Sequence, residues 1–373
     1  MEMRDFGLSV LILCTLLVVN AGAQSGRVQV TPSPTPTPSD DQDLRVETEE
    51  IKVNISAFDT DGKFFPGVRV EDLVINEDNV LNQATSVRRT PANVLIVLDT
   101  GGEDRIAKDY KTTRETAKAL IQNLQPDDSV ALLEFNDTAR IIAEWTTDKN
   151  QLYSVLDRQL RFGKRARFIE ALNLAVNFLE KAGSENRHLV LITDGTDSVA
   201  KESERKAAFM RVLATDINVH VFSYTGLEQA VVKDRKKSMV RPGGSQRAQL
   251  PPGAEIPVRG QTTTYPTVTI NTDREMMKRN KERGEQLSKS EKELNELSED
   301  TNGILFLPAT SDEMIEKSAA LAHNIDSQYV VTYTPKRPLA VSRKGEIRSI
   351  IVTSKRDGLE VIGRRKLAVT SNP

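Results

Sequence analysis

Two stretches of consecutive apolar residues, each followed by an aspartate, stand out in the hydrophobic pattern of the chain. Val94–Leu98 precedes Asp99, and Leu189–Ile192 is followed by Thr193 and Asp194. The strands of a parallel sheet have this continuous apolar character when helices cover both faces of the sheet. Because the carboxyl ends of parallel strands lie at one edge of the sheet, where open α/β sheets bind ligands, the pattern predicts a site that contains both aspartates.

The region around these two strands alternates between helical periodicity and short apolar strands. A helical pattern is followed by a strand at Val130–Phe135 with a predicted antiparallel neighbour at Arg140–Trp145, and further strands are predicted at 219–224 and 304–307. This alternation is typical of βαβ units. It predicts an α/β fold with a doubly wound, mostly parallel sheet over residues 92–327.

Residues 45–91 and 328–370 show a different pattern, in which apolar and polar residues alternate as in strands with one buried face. Turn residues separate short runs such as Ile51–Ala57 and Tyr329–Tyr333. Neither end has enough strands to cover its own apolar face, and small isolated sheets are only marginally stable. The pattern therefore predicts one β-sandwich built from N- and C-terminal strands.

The first 44 residues predict export rather than a folded domain. The apolar run Leu8–Val19 and the small residues Ala21–Ala23 are typical of a cleaved signal peptide over residues 1–23. An uncleaved anchor is the alternative, but the run is shorter than the roughly 20 residues that span a bilayer. Residues 24–44 are rich in Pro, Thr and Ser, which predicts a disordered tether. The mature chain is therefore expected in the periplasm or outside the cell, with no transmembrane span.

Composition excludes several classes of function. Lys and Arg total 51 against 53 for Asp and Glu, and aromatic residues make up 5%, so nucleic-acid binding is not expected. The one cysteine, Cys14, lies in the predicted signal peptide, which excludes disulfides and thiolate sites in the mature chain. No nucleophile elbow or phosphate loop is present, and His188, His220 and His323 lack metal-ligand spacing. Neither an enzyme nor a small-molecule substrate is expected, and His220 is predicted to be packed or exposed rather than catalytic.

Several motifs together resemble the von Willebrand factor type A domain. They are the strand that ends at Asp99, the helix start Glu170–Leu172, the Leu191–Gly195 segment and the Thr301–Ile304 segment. The flanking strand regions are similar to the secreted proteins related to this domain that are described from acidobacteria. The resemblance implies a non-enzymatic protein-binding or adhesion module.

The resemblance also implies a metal-ion-dependent adhesion site, in which an Asp-x-Ser-x-Ser loop, a threonine and a second aspartate hold a divalent cation. Asp99 and Asp194 fit the two aspartates of that motif. The two serine positions are Gly101 and Glu103, and Ala166 stands at the threonine position. The site is therefore expected to be degenerate.

Two carboxylates at adjacent strand ends would raise each other's pKa unless a cation neutralises them. The favoured hypothesis is that the guanidinium of Arg165 or Arg167 does so, because the loop expected to supply the threonine carries three basic residues. No cofactor is then expected. Alternatively, Mg²⁺ or Ca²⁺ is held by Asp99, Glu103 and Asp194. A third interpretation is a tight glycine turn with every charge solvated.

Residues 228–286 interrupt the pattern of the resembled family as an insertion with 12 basic and seven acidic residues. Its Pro, Gly and Thr clusters predict a largely disordered loop. The functional alternative is a recognition loop for an acidic protein partner, since long insertions on a rigid scaffold often carry function.

Two functions from different classes therefore stay open. The first is an exported protein-binding module that uses the edge of the sheet together with the basic insertion. The second is a structural component of a cell-envelope assembly, in which the edge of the sheet is inert.

Overall fold

A computed structural model of the chain describes residues 49–102, 110–238, 240–242, 246–247, 264–265, 268–270 and 274–369. The predicted signal peptide (1–23), the predicted tether (24–44) and Glu103 lie outside these residues. Within the described ranges, none of the helices combines the length and apolar character that a membrane crossing requires.

The strands are β1 Ile51–Phe58, β2 Leu73–Glu77, β3 Val80–Asn82, β4 Ala84–Arg88, β5 Asn93–Asp99, β6 Ser129–Phe135, β7 Ala139–Thr146, β8 Arg187–Thr193, β9 Asn218–Ser223, β10 Val240–Pro242, β11 Gln246–Arg247, β12 Thr264–Tyr265, β13 Val268–Ile270, β14 Leu305–Phe306, β15 Gln328–Tyr333, β16 Ile347–Ser354, β17 Glu360–Gly363 and β18 Lys366–Ala368. The α-helices are α1 Tyr110–Asn123, α2 Lys149–Arg158, α3 Phe168–Glu180, α4 Glu202–Leu213, α5 Thr225–Ser238, α6 Arg274–Asp300 and α7 Ser311–Asp326. Short 3-10 helices cover Val70–Asp72 and Leu339–Val341.

Six strands form the central sheet in the order β14-β9-β8-β5-β6-β7. Neighbouring strands are parallel except β6 and β7, which confirms the predicted antiparallel pair. The side chains of β5 and β8 are buried from their second residue onward, because a separate apolar core lies on each face of the sheet. The predicted doubly wound, mostly parallel sheet is therefore confirmed.

The two ends of the described chain form two four-stranded antiparallel sheets, ordered β17-β1-β15-β4 and β18-β16-β2-β3. In the first sheet Val53 pairs with Val331, and in the second Ile75 pairs with Val352. The inward side chains of both sheets share one apolar core. The sandwich predicted from the N- and C-terminal strands is confirmed, because each end supplies strands that the other requires.

The segment 228–286, predicted as mostly loop, is helical at both of its ends. Helix α5 extends to Ser238, and α6 begins at Arg274 rather than near its first buried leucine. A narrow stripe of buried residues, Leu287, Leu294 and Leu297 among them, supports α6 although the helix is highly charged. Lys–Glu pairs four residues apart add to its stability on the exposed face. Between the helices, the described residues form two short antiparallel ladders, β10 with β13 and β11 with β12.

The turn between β17 and β18 attaches the sandwich to the α/β domain. The buried guanidinium of Arg364 donates to the carbonyl oxygens of Val212 and Leu213, at 3.4 and 2.8 Å, where α4 ends. Burial lowers the pKa of Arg364 to about 10, which keeps it charged at neutral pH, and the negative end of the helix dipole favours that charge. Lys366 pairs with Asp300 at the end of α6, 2.8 Å away. The sandwich thus holds the C-terminal ends of two helices, one of which reaches the predicted site.

Candidate functional site

Asp99 and Asp194 lie at the same edge of the sheet, which we call the rim. Strands β5 and β8 are parallel neighbours, and the register Leu98 to Ile192 places the aspartates at adjacent carboxyl ends. Both residues are buried, with 1% and 0% of their surface exposed. The Thr193 hydroxyl donates to the Asp99 carboxylate at 2.7 Å, so the last residues of the two strands are bonded to each other.

The guanidinium of Arg283, from α6, lies on the Asp194 carboxylate. Its Nη2 donates to Asp194 Oδ2 at 2.8 Å and also to the carboxylate of Glu228, from α5. Its Nη1 donates to Thr196 Oγ1 at 3.1 Å. Burial by itself would lower the pKa of Arg283, but the two carboxylates outweigh burial and raise it above its usual value. One arginine therefore joins α5, α6 and the loop after β8 through charge-assisted hydrogen bonds.

Helix α6 packs directly on the turn at residues 194–195. The Ser290 hydroxyl donates to the carbonyl oxygen of Asp194 at 2.6 Å. Gly195 has φ +67°, and a Cβ there would lie 2.6 Å from Leu294 Cδ1. Arg205 from α4 donates to the Gly195 carbonyl oxygen at 2.8 Å. The turn therefore requires glycine, and α6 covers the part of the rim that Asp194 occupies.

The two arginines predicted to neutralise the aspartates lie elsewhere, so the hypothesis named the wrong residues. Arg167 donates to Glu170 at 3.0 Å, and Arg165 is exposed. Their loop is held by Asp137, whose carboxylate accepts the Arg165 backbone N–H at 3.0 Å, and the side chain of Arg165 faces solvent. Arg283 was missed because it lies in a segment predicted as loop. The signal that could have identified it is the apolar stripe of α6, continued one turn toward the N-terminus.

Backbone atoms fill the space beside Gly101, which stands at the first serine position of the resembled motif. A Cβ at Gly101 would overlap the carbonyl oxygen of Arg165 and lie 2.9 Å from Asn136 Cα. Ala166 is buried, and its N–H donates to the Ser198 hydroxyl at 3.0 Å. The loop that contains Arg165 and Ala166 therefore occupies the space that a serine side chain at position 101 would need.

The described residues do not fit the donor set of a divalent cation. Magnesium prefers six oxygen ligands in octahedral geometry. Gly101 and Ala166 have no side-chain oxygen, and the Asp194 carboxylate already binds a guanidinium. Across the described ranges, no group of three or more His, Cys, Asp and Glu side chains is arranged to hold a metal. The donor chemistry matches an arginine–carboxylate pair instead.

A further buried carboxylate at the rim, that of Glu134, was not found from the sequence. It accepts hydrogen bonds from Nε and Nη2 of Arg140 at 3.0 and 2.7 Å, and from the Thr100 hydroxyl at 3.2 Å. The available signal was a single acidic residue near the end of the apolar strand β6. Arg140 neutralises Glu134. The described part of the rim therefore contains two arginine–carboxylate pairs, Arg140 with Glu134 and Arg283 with Asp194.

Substitution of Gly101 by serine is expected to destabilise the fold rather than restore an adhesion site. The new Cβ would meet backbone atoms that cannot rotate away, so we expect a loss of about 3 kcal/mol in the free energy of unfolding. Urea denaturation measures it. The control is Gly183→Ser, where no atom lies within 4 Å of the added Cβ and stability should change by no more than about 0.5 kcal/mol. Equal stability of Gly101→Ser and the wild-type chain would contradict the close approach.

The chain forms an α/β domain in which two buried aspartates lie at the carboxyl ends of parallel strands. Residues 79–245 match the family model of the von Willebrand factor type A domain. Over these residues the chain is thus similar to a von Willebrand factor type A domain, as the sequence motifs implied. Its sheet continues beyond the matched residues, because β14 at Leu305–Phe306 pairs with β9.

Three solved structures illustrate the similarity. An aerotolerance-related membrane protein from Bacteroides fragilis is 16% identical, with 64% of this chain and 99% of that chain covered and a TM-score of 0.37. BatB from Bacteroides thetaiotaomicron is 18% identical, with coverage of 63% and 97% and a TM-score of 0.36. A von Willebrand factor type A protein from Catenulispora acidiphila is 11% identical, with coverage of 88% and 75% and a TM-score of 0.41. No curated protein matches the chain.

Proposed function

We propose that this chain is an exported, non-enzymatic protein-binding module whose rim is a degenerate metal-ion-dependent adhesion site. In this site Arg283 takes the position of the cation. The observation that carries the proposal is the contact of 2.8 Å between the Arg283 guanidinium and the fully buried Asp194 carboxylate. A buried carboxylate requires a counter-charge, and this guanidinium supplies one without a captured ion.

Arg283 and a metal ion would compete for the Asp194 carboxylate, which supports the proposal that the rim holds no metal. A cation on Asp194 would have to displace the guanidinium, which would then lose its bonds to Glu228 and Thr196. If the guanidinium stayed, the two positive charges would lie within a few ångströms of each other and repel. Either arrangement disfavours Mg²⁺ or Ca²⁺ at the rim of the wild-type chain.

The rim supports binding rather than catalysis. Asp99, Asp194 and Glu134, which are buried carboxylates of the described part of the rim, all accept hydrogen bonds from neighbouring groups, two of them from arginines. His188 and His220 lie at the opposite end of their strands, away from these carboxylates. Export is supported by the sequence pattern of residues 1–44.

A structural envelope component with an inert rim is the second candidate. The observation that favours it is the packing of α6 on the turn at residues 194–195, which covers the Asp194 side of the rim. A partner of such a protein would bind at surfaces other than the rim.

Calorimetric titration with Mn²⁺ tests the site directly. The wild-type mature chain is expected to show no binding in the micromolar range, because Arg283 already neutralises Asp194. Arg283→Gln leaves Asp194 and Glu228 without this guanidinium and is expected to bind Mn²⁺ at least about tenfold more tightly than the wild-type chain. The matched control is Arg279→Gln, one turn earlier on α6 and 76% exposed, which should behave as the wild-type chain.

The opposite result identifies a metal site. Micromolar binding of Mn²⁺ by the wild-type chain that disappears in Asp99→Ala would show that the rim holds a cation despite Arg283. Equal affinities of Arg283→Gln and Arg279→Gln would show that Arg283 does not occupy the cation position.

A further inference from the structure

The loop between α2 and α3 concentrates positive charge beside Gly101, where β5 ends. We call residues Leu160–Arg167 the basic loop. It contains four basic residues and no acidic one. The side chains of Arg161, Lys164 and Arg165 are exposed, whereas that of Arg167 pairs with Glu170. The basic loop lies beside Gly101, because the Arg165 carbonyl oxygen fills the space above that glycine.

The backbone of the basic loop is fixed by the rim residues beneath it. The Arg161 N–H donates to Glu134 Oε1 at 2.5 Å, and the Arg161 carbonyl oxygen accepts from Asn136 Nδ2 at 3.0 Å. The N–H groups of Lys164 and Arg165 donate to the Asp137 carboxylate at 3.3 and 3.0 Å. The acidic side chains therefore hold the backbone, and the basic side chains extend from a rigid support. Such an arrangement lowers the entropic cost of binding.

Several other arginines of the α/β domain pair with carboxylates of the fold. Arg140 pairs with Glu134 at 2.7 Å, and Arg187 pairs with Asp216 at 2.8 Å. By contrast, among the described residues no ion pair involves the side chains of Arg161, Lys164 or Arg165. Like charges within five positions repel each other, so this cluster does not stabilise the chain itself. Its charge is available to a partner.

We propose that the basic loop binds an acidic segment of a protein partner through Arg161, Lys164 and Arg165. This inference rests on the proposed function and adds the chemistry of the partner and the surface that it contacts. Arginine forks match carboxylates in a bidentate geometry. Phe162, in the middle of the basic loop, is 47% exposed and adds apolar contact area. The contact surface is therefore three cations and an exposed aromatic ring on one short loop with a fixed backbone, beside rather than on the buried aspartates.

An acidic protein segment fits this surface better than a nucleic acid does. Binding to duplex DNA depends on the number of phosphates neutralised, and three cations release few counterions at physiological salt. Aromatic residues interleaved with basic ones along an extended groove would favour single strands, but the basic loop offers one aromatic ring. A run of carboxylates within a few residues matches three cations in the same short loop.

Fluorescence anisotropy with labelled poly-L-glutamate tests the proposal in the mature chain at physiological salt. The wild-type chain is expected to bind the probe, and Arg161→Glu/Lys164→Glu/Arg165→Glu to bind it at least about tenfold more weakly, because three attractive contacts become repulsive. The control is Arg343→Glu/Lys344→Glu/Lys355→Glu, which makes the same charge change at exposed sites of the sandwich and should stay within about twofold of the wild-type chain. If charge reversal prevents folding, the neutral variant Arg161→Gln/Lys164→Gln/Arg165→Gln replaces the charge-reversal variant. It is expected to lose most of the binding.

Three outcomes would overturn the proposal. They are the absence of binding by the wild-type chain, an equal loss in the control, and tighter binding of a single-stranded oligonucleotide of the same length. A failure of this proposal can be distinguished from a failure of the proposed function. The Mn²⁺ titration of Arg283→Gln reports on the metal position alone, and it does not involve the basic loop.

Discussion

A shift from pH 7 to pH 5 is expected to lower the free energy of unfolding by about 4 kcal/mol, since two histidines are buried without charge in the α/β domain. His188 and His220 lie side by side on β8 and β9, and both are fully buried. In the unfolded chain they take up protons below pH 6.5, whereas in the fold they stay neutral. Urea denaturation at constant ionic strength, in steps between pH 7.5 and pH 5, measures the slope.

The geometry explains why the fold excludes these protons. His188 Nδ1 and His220 Nε2 lie 3.0 Å apart, and His188 Nε2 lies 2.8 Å from Asn186 Oδ1. Burial lowers the pKa of His220 to about 3. Burial, together with the neighbouring His220, lowers the pKa of His188 well below its usual value. Because both folded-state pKa values are depressed, this stability is complete above about pH 6.5 and is lost as the pH falls toward 3.

The third histidine provides a matched control. His323 is exposed on α7, so His323→Gln should keep the slope of the wild-type chain. His220→Leu removes one of the two buried groups and should reduce the loss between pH 7 and pH 5 to about 2 kcal/mol. A wild-type stability that stays constant over this range would show that the pair takes up protons without unfolding.

The strands and their terminal aspartates could be predicted because their signals are local. An apolar run such as Val94–Leu98 determines a buried strand, and the direction of the chain then places Asp99 at its carboxyl end. The alternating pattern of Ile51–Phe58 likewise determined a sandwich strand, although its partner β15 lies far along the chain. Local patterns also placed Asp194 beside Asp99, since parallel neighbours share an edge.

The contacts between distant side chains could not be predicted in the same way. Arg283 reaches Asp194 only because α6 begins at Arg274, and that start depends on a sparse buried stripe within a charged segment. His188 and His220 seemed dispersed in the sequence, but adjacent parallel strands bring their rings together. The need for a cation at the rim follows from electrostatics. The arginine that supplies this cation is determined by tertiary packing, and the local patterns of a single sequence do not reveal it.

Replacement of Arg348 by methionine is expected to destabilise the sandwich by about 3 to 5 kcal/mol, because it leaves a buried carboxylate without its counter-charge. Arg348 on β16 and Glu77 on β2 are both buried, with Nη1 and Oε1 2.6 Å apart. The same guanidinium donates to the carbonyl oxygens of Arg337 and Pro338, each at 2.8 Å. Thermal and urea unfolding of the chain measure the loss.

The cost should arise from the unpaired Glu77 rather than from the missing arginine. Replacing both members by apolar residues, in Arg348→Met/Glu77→Leu, should therefore recover a large part of the stability that the single variant loses. The control is Arg69→Met, which breaks the exposed Arg69–Glu71 pair of 3.3 Å and should cost no more than about 1 kcal/mol. A double variant less stable than Arg348→Met would contradict this origin. Since the buried pair links strands from the two ends of the chain, its loss should weaken the sandwich, whose β17–β18 turn holds the C-terminal ends of α4 and α6.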